Sequence, residues 1–317
     1  MQHISVVIPC YNSSKSIEEL YERLSFSLQD LERPYEIIMV NDCSKDDTLD
    51  LLEAIAHSDS RVKVIDLMFN VGQYRALMCG LRYSAGDIVI TMDDDLQHPP
   101  EEIFKLVDFL NENPDYDAVF GEYEKKKHAI LRKWGSKLVG CLNRKLFNKP
   151  PDLIMSPFRG LRRNLVDTIA DHKTVFPVIG PMILQSSRAI ANVKVKHEKR
   201  KYGTSNYRFF KLVSLTLDHI FQYSSYPLKV ISMIGVSAAA LSLFISIYFI
   251  LKYFFMGIFV PGWTSIIVLL NFYCGLILFS IGIIGEYLIR ILKESQGKPV
   301  YKERRLLNIT LPGKKSE

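Results

Sequence analysis

The sequence has 317 residues and a formal net charge of +6 at pH 7, which is enough chain for one sizeable soluble domain and an additional membrane part. Much of the basic excess lies beside two long apolar stretches, which suits a membrane surface or a phosphate-bearing substrate. The sequence contains no motif that stacks on bases or reads a groove, so we expect no nucleic acid partner. The five cysteines form no close pair, which argues against a zinc site and a disulfide framework: Cys10, Cys43, Cys79, Cys141 and Cys274.

The first part of the chain alternates short β-rich runs with amphipathic stretches. Between the runs at residues 4–9 and 36–40, apolar residues recur at helical spacing, which predicts a β-α-β unit. The alternation continues as helix, strand, helix and strand, at residues 48–56, 62–67, 74–84 and 88–92. Because the early strands end in polar residues, the pattern predicts an α/β nucleotide-binding fold whose loops converge at one edge of the sheet.

Three consecutive carboxylates, Asp93, Asp94 and Asp95, follow the last of these strands. Like charges this close repel one another unless a cation lies among them. Asp93 and Asp95 are two residues apart, so on an extended backbone they share a face and can bind one divalent ion, with Gln97 as a neutral third ligand. The alternative is an Asp-rich turn that caps the helix expected to begin near Pro99.

Two further segments are amphipathic. Residues 125–149 interleave basic with apolar residues, which indicates either a solvated helix face or a helix lying at a membrane surface. Residues 207–226 are rich in aromatic and aliphatic side chains and lead towards an apolar stretch. We interpret them as an interfacial helix.

Two apolar stretches predict a transmembrane hairpin. Residues 230–251 and 264–285 each provide about 22 residues without a charge, which is long enough to cross a hydrocarbon core. Apart from the bordering Lys252, the connection between them has no charged residue, whereas lysines and arginines precede the first stretch and follow the second. By the positive-inside rule we expect both termini in the cytoplasm, and the first residues do not indicate a signal peptide.

The second apolar stretch ends in an acid and a base one helical turn apart, Glu286 and Arg290. An acid within a membrane is a functional hint, but an i,i+4 pair that stabilises the helix end is the preferred interpretation. Small residues in both stretches offer surfaces for helix packing, so a homo-oligomer is one expectation: Gly235, Ala239, Gly275 and Gly282.

Four motifs follow one another along the first part of the chain. They are Ile4-Ser-Val-Val-Ile-Pro-Cys-Tyr-Asn12, Glu36-Ile-Ile-Met-Val-Asn-Asp42-Cys-Ser44, Asn70-Val-Gly-Gln73 and Asp93-Asp-Asp95-Leu-Gln97-His-Pro-Pro100. In this order they resemble the motifs of the family 2 glycosyltransferases of GT-A fold. A narrower resemblance, to the polyprenyl-phosphate glycosyltransferases, comes from Arg200-Lys-Tyr-Gly203-Thr-Ser205-Asn-Tyr207, Pro261-Gly-Trp-Thr-Ser265 and Gly282-Ile-Ile-Gly-Glu286-Tyr-Leu-Ile-Arg290. The resemblance covers nearly the whole chain.

The resemblance implies a nucleoside-diphosphate sugar as donor and Mg²⁺ or Mn²⁺ as cofactor, held by Asp93, Asp95 and Gln97. A divalent ion there can stabilise the charge that develops on the leaving diphosphate. The residues implied in binding the nucleotide are Pro9, Tyr11, Asn12, Asp42, Gln73 and Asp94. For Asp42 the alternative is an Asx-turn at the strand end.

The implied acceptor is a polyprenyl phosphate such as undecaprenyl phosphate, which is already an anion at neutral pH and can attack the sugar without a protein base. Arg132, Arg159 and Arg200 resemble the residues that hold the acceptor phosphate and close over the substrate, a role for which Arg is suited by its bidentate geometry. The chain departs from some relatives at Pro157, where an aspartate is frequent, and at Asn206, where lysine is frequent. A base role for that aspartate is therefore unsupported.

We therefore expect an inverting transferase at the cytoplasmic face of the plasma (inner) membrane, with the lipid bilayer as a further partner. Its expected parts are a GT-A catalytic domain at residues 1–205, an interfacial helix at 206–227, a two-helix transmembrane hairpin at 228–291 and a cytoplasmic tail at 292–317. One rival is a processive polysaccharide synthase, although two spans are few for a polymer channel. The other is a non-catalytic membrane adaptor that retains the fold.

Overall fold

The computed structural model describes residues 2–123, 150, 152–172, 174, 177–198, 201, 226–256, 262–295 and 300–309. It forms two compact units, the first comprising Met1–Asn206 with Pro299–Glu317 and the second Tyr207–Lys298. The predicted amphipathic segment at 125–149, all but the last residue of the segment at 207–226, and the two candidate residues Arg132 and Arg200 lie outside the described residues.

The first unit alternates strands and helices as the sequence pattern predicts. The strands are β1 Ile4–Cys10, β2 Tyr35–Asn41, β3 Val62–Leu67, β4 Ile88–Thr91, β5 Ala118–Tyr123, β6 Arg159–Arg162, β7 Ile190–Val195 and β8 Glu303–Leu307. The helices are α1 Ile17–Gln29, α2 Thr48–Ser58, α3 Gln73–Tyr83, α4 Ile103–Glu112, α5 Arg163–Ala170 and α6 Ile179–Ser186, and a 3-10 turn at Pro100–Glu102 precedes α4.

The eight strands form one mixed sheet in the order β7-β5-β6-β4-β1-β2-β3-β8. Parallel pairing joins β1 to β2 and β4, β2 to β3, and β5 to β7. β6 is antiparallel to both of its neighbours, β4 and β5. The predicted α/β class is therefore confirmed, and the order reverses direction around β1, where such folds bind nucleotides.

Helices cover both faces of the sheet. On one face Ile4, Val6 and Ile8 of β1 belong to a buried core shared with α1, α2 and α4. On the other face α3 approaches the sheet so closely that a Cβ at Gly80 would lie 2.3 Å from Val7 Cγ1. The glycine permits this close approach.

The strand β8 differs from the prediction for residues 292–317, which the sequence assigns to a cytoplasmic tail. β8 pairs antiparallel with β3, with Val64 opposite Leu307 and Asp66 opposite Arg305. Asn308, directly after β8, donates from Nδ2 to Ala56 O at 2.7 Å and to Val62 O at 2.9 Å. The segment therefore forms an edge strand of the sheet in the first unit.

The second unit contains two long helices, α7 Tyr226–Met256 and α8 Trp263–Ser295. Within the described part of the chain, one helical stretch is long and apolar enough to cross a membrane, namely Phe272–Ile289 in α8. None of that stretch is buried inside the protein. The pair of predicted spans, and the positions of the termini relative to a membrane, stay predictions.

Candidate active site

Polar loops from several strands meet at one edge of the sheet. Because β1 to β4 run in parallel, the residues after each of them emerge at this edge. β6 runs the opposite way and begins at the same edge, where Arg159 is paired with Thr91 at the end of β4. The topology thus brings Asp42, the acids after β4 and Arg159 to one side of the molecule.

The backbone at this edge is unusual. Of the five non-glycine residues with positive φ among those described, three follow β1, β2 and β4: Asn12, Cys43 and Leu96. Leu96 is buried, with φ at 58°, in the middle of the acidic loop. Such conformations cost free energy and concentrate at functional sites, so they support a ligand site here.

Asp93 is a carboxylate whose charge is poorly compensated by its surroundings. Burial raises its pKa to about 7, and the charges of Asp95 and Asp94 act in the same direction. The charge of Arg159 and a hydrogen bond from Gln73 Nε2 to Asp93 Oδ1, 2.6 Å long, act against this rise. A divalent cation would relieve the repulsion, so the pair Asp93 and Asp95 fits the predicted ion.

Other ligands would have to complete the coordination of such an ion. The described residues include no group of three or more His, Cys, Asp or Glu side chains that could hold a metal by itself. Gln97, water and a diphosphate are chemically suitable oxygen ligands. Gln97 lies beside the pair, because its backbone N–H donates to Asp95 Oδ1 at 3.1 Å.

Asp94 makes different contacts from its neighbours. Its Oδ2 accepts a hydrogen bond from Ser13 Oγ and a second from Tyr11 N at 3.2 Å. Burial raises the pKa of Asp94, although both of these bonds lower it. Asp94 therefore joins the loop after β4 to the loop after β1.

The alternative interpretation of the acids as a helix cap is wrong. Neither the 3-10 turn nor α4 receives a hydrogen bond from a capping side chain, and their N-cap residues are Pro99 and Glu102. Asp95 does form a local turn, since its Oδ1 accepts a hydrogen bond from the N–H of Gln97, two residues further along the chain. Asp93 instead accepts from Gln73, and Asp94 accepts from Tyr11 and Ser13.

Asp42 is buried and holds a distant loop. Its two carboxylate oxygens accept from Val71 N at 2.6 Å and from Gly72 N at 2.8 Å. Burial raises its pKa, and these two bonds partly offset the rise. The Asx-turn alternative is thus wrong, because the partners lie about 30 residues further along the chain. A contact of Asp42 with the nucleotide stays a prediction.

Three of the other predicted nucleotide residues, Pro9, Tyr11 and Asn12, lie at the end of β1 or directly after it. Asn12 connects the first two loops, since its Oδ1 accepts from Lys45 N at 2.8 Å and its N–H donates to Ser44 Oγ at 3.0 Å. Tyr11 is 44% exposed, which leaves its ring accessible for a ligand. Pro9 is buried within β1, opposite Val40 of β2, so it shapes the strand end and does not present an open surface.

Arg159 is a buried cation beside the acids. Its Nε donates to Thr91 Oγ1 at 2.9 Å, and its guanidinium lies over the Phe120 ring, 5.8 Å from the centroid. Burial lowers its pKa to about 10, whereas the charge of Asp93 acts in the opposite direction. The predicted contact of Arg159 with an acceptor phosphate stays a prediction, and Arg132 and Arg200 are outside the described residues.

One cluster at this edge was not recognised from the sequence. The buried ring of His98 stacks on Tyr123 at 5.5 Å and on Phe158 at 5.6 Å, and it meets His197 edge-on at 6.1 Å. Burial lowers the pKa of His98 to about 4. The sequence signal that could have identified His98 is its position within the motif of residues 93–100. Its partners come from distant elements that no local pattern connects with it.

The family to which the chain belongs follows from comparison with known proteins. The model of glycosyl transferase family 2 matches residues 5–170, which include the ends of β1, β2, β3 and β4 and the start of β6. The chain belongs to glycosyl transferase family 2. The acids after β4 of this glycosyltransferase, and Arg159, lie within the matched region.

Curated relatives match this glycosyltransferase over almost its full length. An undecaprenyl-phosphate 4-deoxy-4-formamido-L-arabinose transferase of Proteus mirabilis is 32% identical, covering 99% of this chain and 97% of its own. An uncharacterized glycosyltransferase of Synechocystis is 34% identical, covering 94% of this chain and 93% of its own. The predicted resemblance to polyprenyl-phosphate glycosyltransferases is confirmed by these matches.

Solved structures share the fold of the first unit. Glucosyl-3-phosphoglycerate synthase of Mycobacterium tuberculosis, crystallised with Mn²⁺, UDP and phosphoglyceric acid, superposes with a TM-score of 0.53 over 69% of this chain and 76% of its own. The sequence identity is 21%, so this likeness concerns the fold alone. It supports the predicted GT-A arrangement of the mixed sheet.

Proposed function

We propose that this glycosyltransferase moves a single sugar from a nucleoside-diphosphate sugar to a polyprenyl phosphate, with inversion, at the cytoplasmic face of the membrane. The observation that carries the proposal is the pair Asp93 and Asp95 shortly after β4, whose last residue, Thr91, accepts a hydrogen bond from the buried Arg159 at 2.9 Å. A cation site beside a buried guanidinium suits a reaction between two phosphate-bearing substrates. The full-length match to a named undecaprenyl-phosphate sugar transferase supports the same acceptor class.

In this proposal Asp93 and Asp95 hold Mg²⁺ or Mn²⁺, which when bound stabilises the negative charge of the leaving diphosphate. Gln73 orients Asp93, since its amide donates to one oxygen of the carboxylate. Asp94 is engaged with the β1 loop, so it supports the site instead of supplying the main ligand.

The acceptor phosphate needs no proton removed before it attacks, because it is ionised at neutral pH. Arg159, with Arg132 and Arg200, is proposed to hold that phosphate in line with the departing diphosphate. Attack by the phosphate oxygen on the anomeric carbon then displaces the nucleotide in one step, which inverts the configuration and requires no covalent enzyme intermediate.

We also propose that α7 and α8 form a two-span membrane hairpin with both ends cytoplasmic. The apolar stretch Phe272–Ile289 supports the second span. The lysines and arginines that flank the hairpin in the sequence support the orientation. This arrangement would keep the first unit on the side where nucleotide sugars are made and the lipid phosphate is presented.

The experiment that tests the function incubates the purified full-length protein with undecaprenyl phosphate and a panel of nucleotide sugars, followed by mass spectrometry of the lipid. We expect one nucleotide sugar to yield a lipid heavier by a single sugar residue. A ladder of products would favour the processive synthase. No lipid product with any donor, while the nucleotide still binds, would favour the adaptor.

A further inference from the structure

We propose that β8 is a working part of the donor site, in which Arg304 is a positioning residue for the loop formed by residues 68–72. That loop connects β3 to α3 and leads directly into Gln73, the side chain that contacts Asp93. The inference rests on the proposed function, because it concerns the binding of the same nucleotide sugar. It assigns a role to a segment at the far end of the chain, outside the family match.

The outer end of the loop is held by the backbone and side chains of β8 and the residue before it. Met68 N donates to Lys302 O at 2.8 Å, and Arg304 Nη2 donates to Met68 O at 3.0 Å. Met68 and Phe69 are 49% and 48% exposed, so apolar burial fixes this part of the loop only in part. The hydrogen bonds with Lys302 and Arg304 therefore contribute to holding it, beside a longer contact from Cys43 Sγ to Met68 O at 3.9 Å.

The register of β8 explains why Arg304 reaches the loop. Asp66 is opposite Arg305 and Leu67 is opposite Glu303, so Arg304 is the extra residue of a bulge between these pairs. Bulges redirect side chains at sheet edges. Here the guanidinium is directed towards the start of the loop.

Arg304 also compensates a buried charge at the base of the loop. Its Nη1 lies 3.5 Å from Asp66 Oδ2, and Asp66 is 1% exposed. The other oxygen of Asp66 accepts from Asn41 Nδ2 at 2.8 Å, and Asn41 directly precedes Asp42. Loss of the guanidinium would leave the Asp66 carboxylate buried with weaker compensation.

The inner end of the loop is fixed to the site itself. Asp42 accepts from Val71 N and Gly72 N, and Asn70 Nδ2 donates to Asp42 O at 3.0 Å. Gly72 has φ at 88°, a conformation that suits glycine, and α3 begins at the next residue. The five residues between β3 and α3 are thus held by β8 at one end and by Asp42 at the other.

The strand itself supplies a matched control. Arg305 is the next residue, carries the same charge and is 60% exposed, but its Nη1 pairs with Glu53 of α2 at 3.0 Å. Arg304→Met and Arg305→Met each remove one charge while retaining most of the length of the side chain. Only Arg304→Met removes a hydrogen bond to the loop of residues 68–72, namely the bond to Met68 O.

The test compares wild type, Arg304→Met, Arg304→Lys and Arg305→Met as full-length proteins, by hydrogen–deuterium exchange and by transfer kinetics. In Arg304→Met we expect faster exchange of the amides in residues 68–73 and a donor KM raised about tenfold, with kcat and the acceptor KM unchanged. Arg304→Lys should restore part of the donor KM, and Arg305→Met should match wild type.

Two results would overturn the proposal: equal behaviour of Arg304→Met and Arg305→Met, or faster loop exchange in Arg304→Met with an unchanged donor KM. The second result would make β8 a purely structural support. The exchange measurement requires no turnover, so it still decides whether β8 holds the loop in a protein that transfers no sugar. Absence of transfer in wild type would overturn the proposed function instead.

Discussion

At the scale of single residues, the site is a balance between like charges and one buried cation. Asp93 carries a pKa raised to about 7 by burial and by the neighbouring acids, while Arg159 has its pKa lowered to about 10 by its own burial. Each charge partly compensates the other. A divalent cation would stabilise a carboxylate beside two further carboxylates, so the acids define the expected metal site.

Replacing Asp95 by asparagine should remove most of the transfer activity while leaving the fold intact. The asparagine amide lacks the charge needed to hold a divalent ion. Losing the Asp95 charge also lessens the electrostatic repulsion on Asp93, so the free energy of unfolding should not fall. Activity is expected to drop by about two orders of magnitude or more, and Mn²⁺ binding measured by calorimetry should weaken.

Asp108→Asn, at an exposed position of α4, is the matched control and should behave as wild type. Excess EDTA should stop the reaction of the wild-type protein, and added Mg²⁺ or Mn²⁺ should restore it. Full turnover in EDTA would contradict the assignment of the metal site.

Arg132→Ala and Arg159→Ala should impair the acceptor step far more than donor binding. Loss of one charge-assisted contact with the lipid phosphate costs about 1.5 to 3 kcal/mol, or roughly a tenfold to hundredfold drop in kcat/KM. The check is nucleotide-sugar binding by calorimetry beside transfer rates at varied polyprenyl phosphate. Weakened donor binding with a normal acceptor KM would assign these arginines to the diphosphate or to the fold.

At the scale of elements, buried polar contacts fix the strands that deliver the site. Glu36 of β2 accepts from Ser5 Oγ of β1 at 2.5 Å and from Ala85 N at 2.7 Å, and it pairs with Lys63 of β3. Burial alone would raise the pKa of Glu36, but these partners outweigh it and the pKa is lowered. One carboxylate thus connects three neighbouring strands and the turn that leads into β4.

Glu36→Gln should destabilise the protein at neutral pH and make stability less sensitive to acid. Because the folded pKa of Glu36 lies below its ordinary value of 4.5, its contribution is present above that pH and is lost as the pH falls through the folded pKa. We expect a loss of about 1 to 3 kcal/mol at pH 7, measured by thermal unfolding of the full chain, and a smaller difference from wild type in acid.

The control is Glu53→Gln, which removes a more exposed pair with Arg305 and should cost less than about 1 kcal/mol. A Glu36→Gln protein whose deficit grows as the pH falls would contradict the sign of the shift.

At the scale of the whole molecule, the chain combines a unit built on a mixed sheet with a unit of two long helices. The chain leaves the first unit after residue 206 and returns to it at Pro299, where it adds β8 to the sheet. Both crossings between the units are basic in sequence. A hairpin that begins and ends on one side of a membrane is consistent with that path of the chain.

Tags at Met1 and at Glu317 should therefore both be cytoplasmic, and a tag at Gly257 should be outside. The asymmetry of lysine and arginine around the apolar stretches is the physical reason. Reporter fusions or protease protection in intact cells measure this directly. Termini on opposite sides would exclude the two-span hairpin, and an accessible Gly257 tag on the cytoplasmic side would exclude any crossing by α7.

The sequence by itself determined the order of strands and helices in the first part of the chain and the position of Asp93 and Asp95 at a strand end, because apolar periodicity and strand-end chemistry are local signals. Only the tertiary structure decided that Asp42 binds Val71 and Gly72, that Arg159 is buried beside Thr91, that His98 stacks on Tyr123, and that residues 303–307 form a strand. Each of these depends on partners far apart in the chain, and which distant residues meet is fixed by strand order and register, which no local pattern contains.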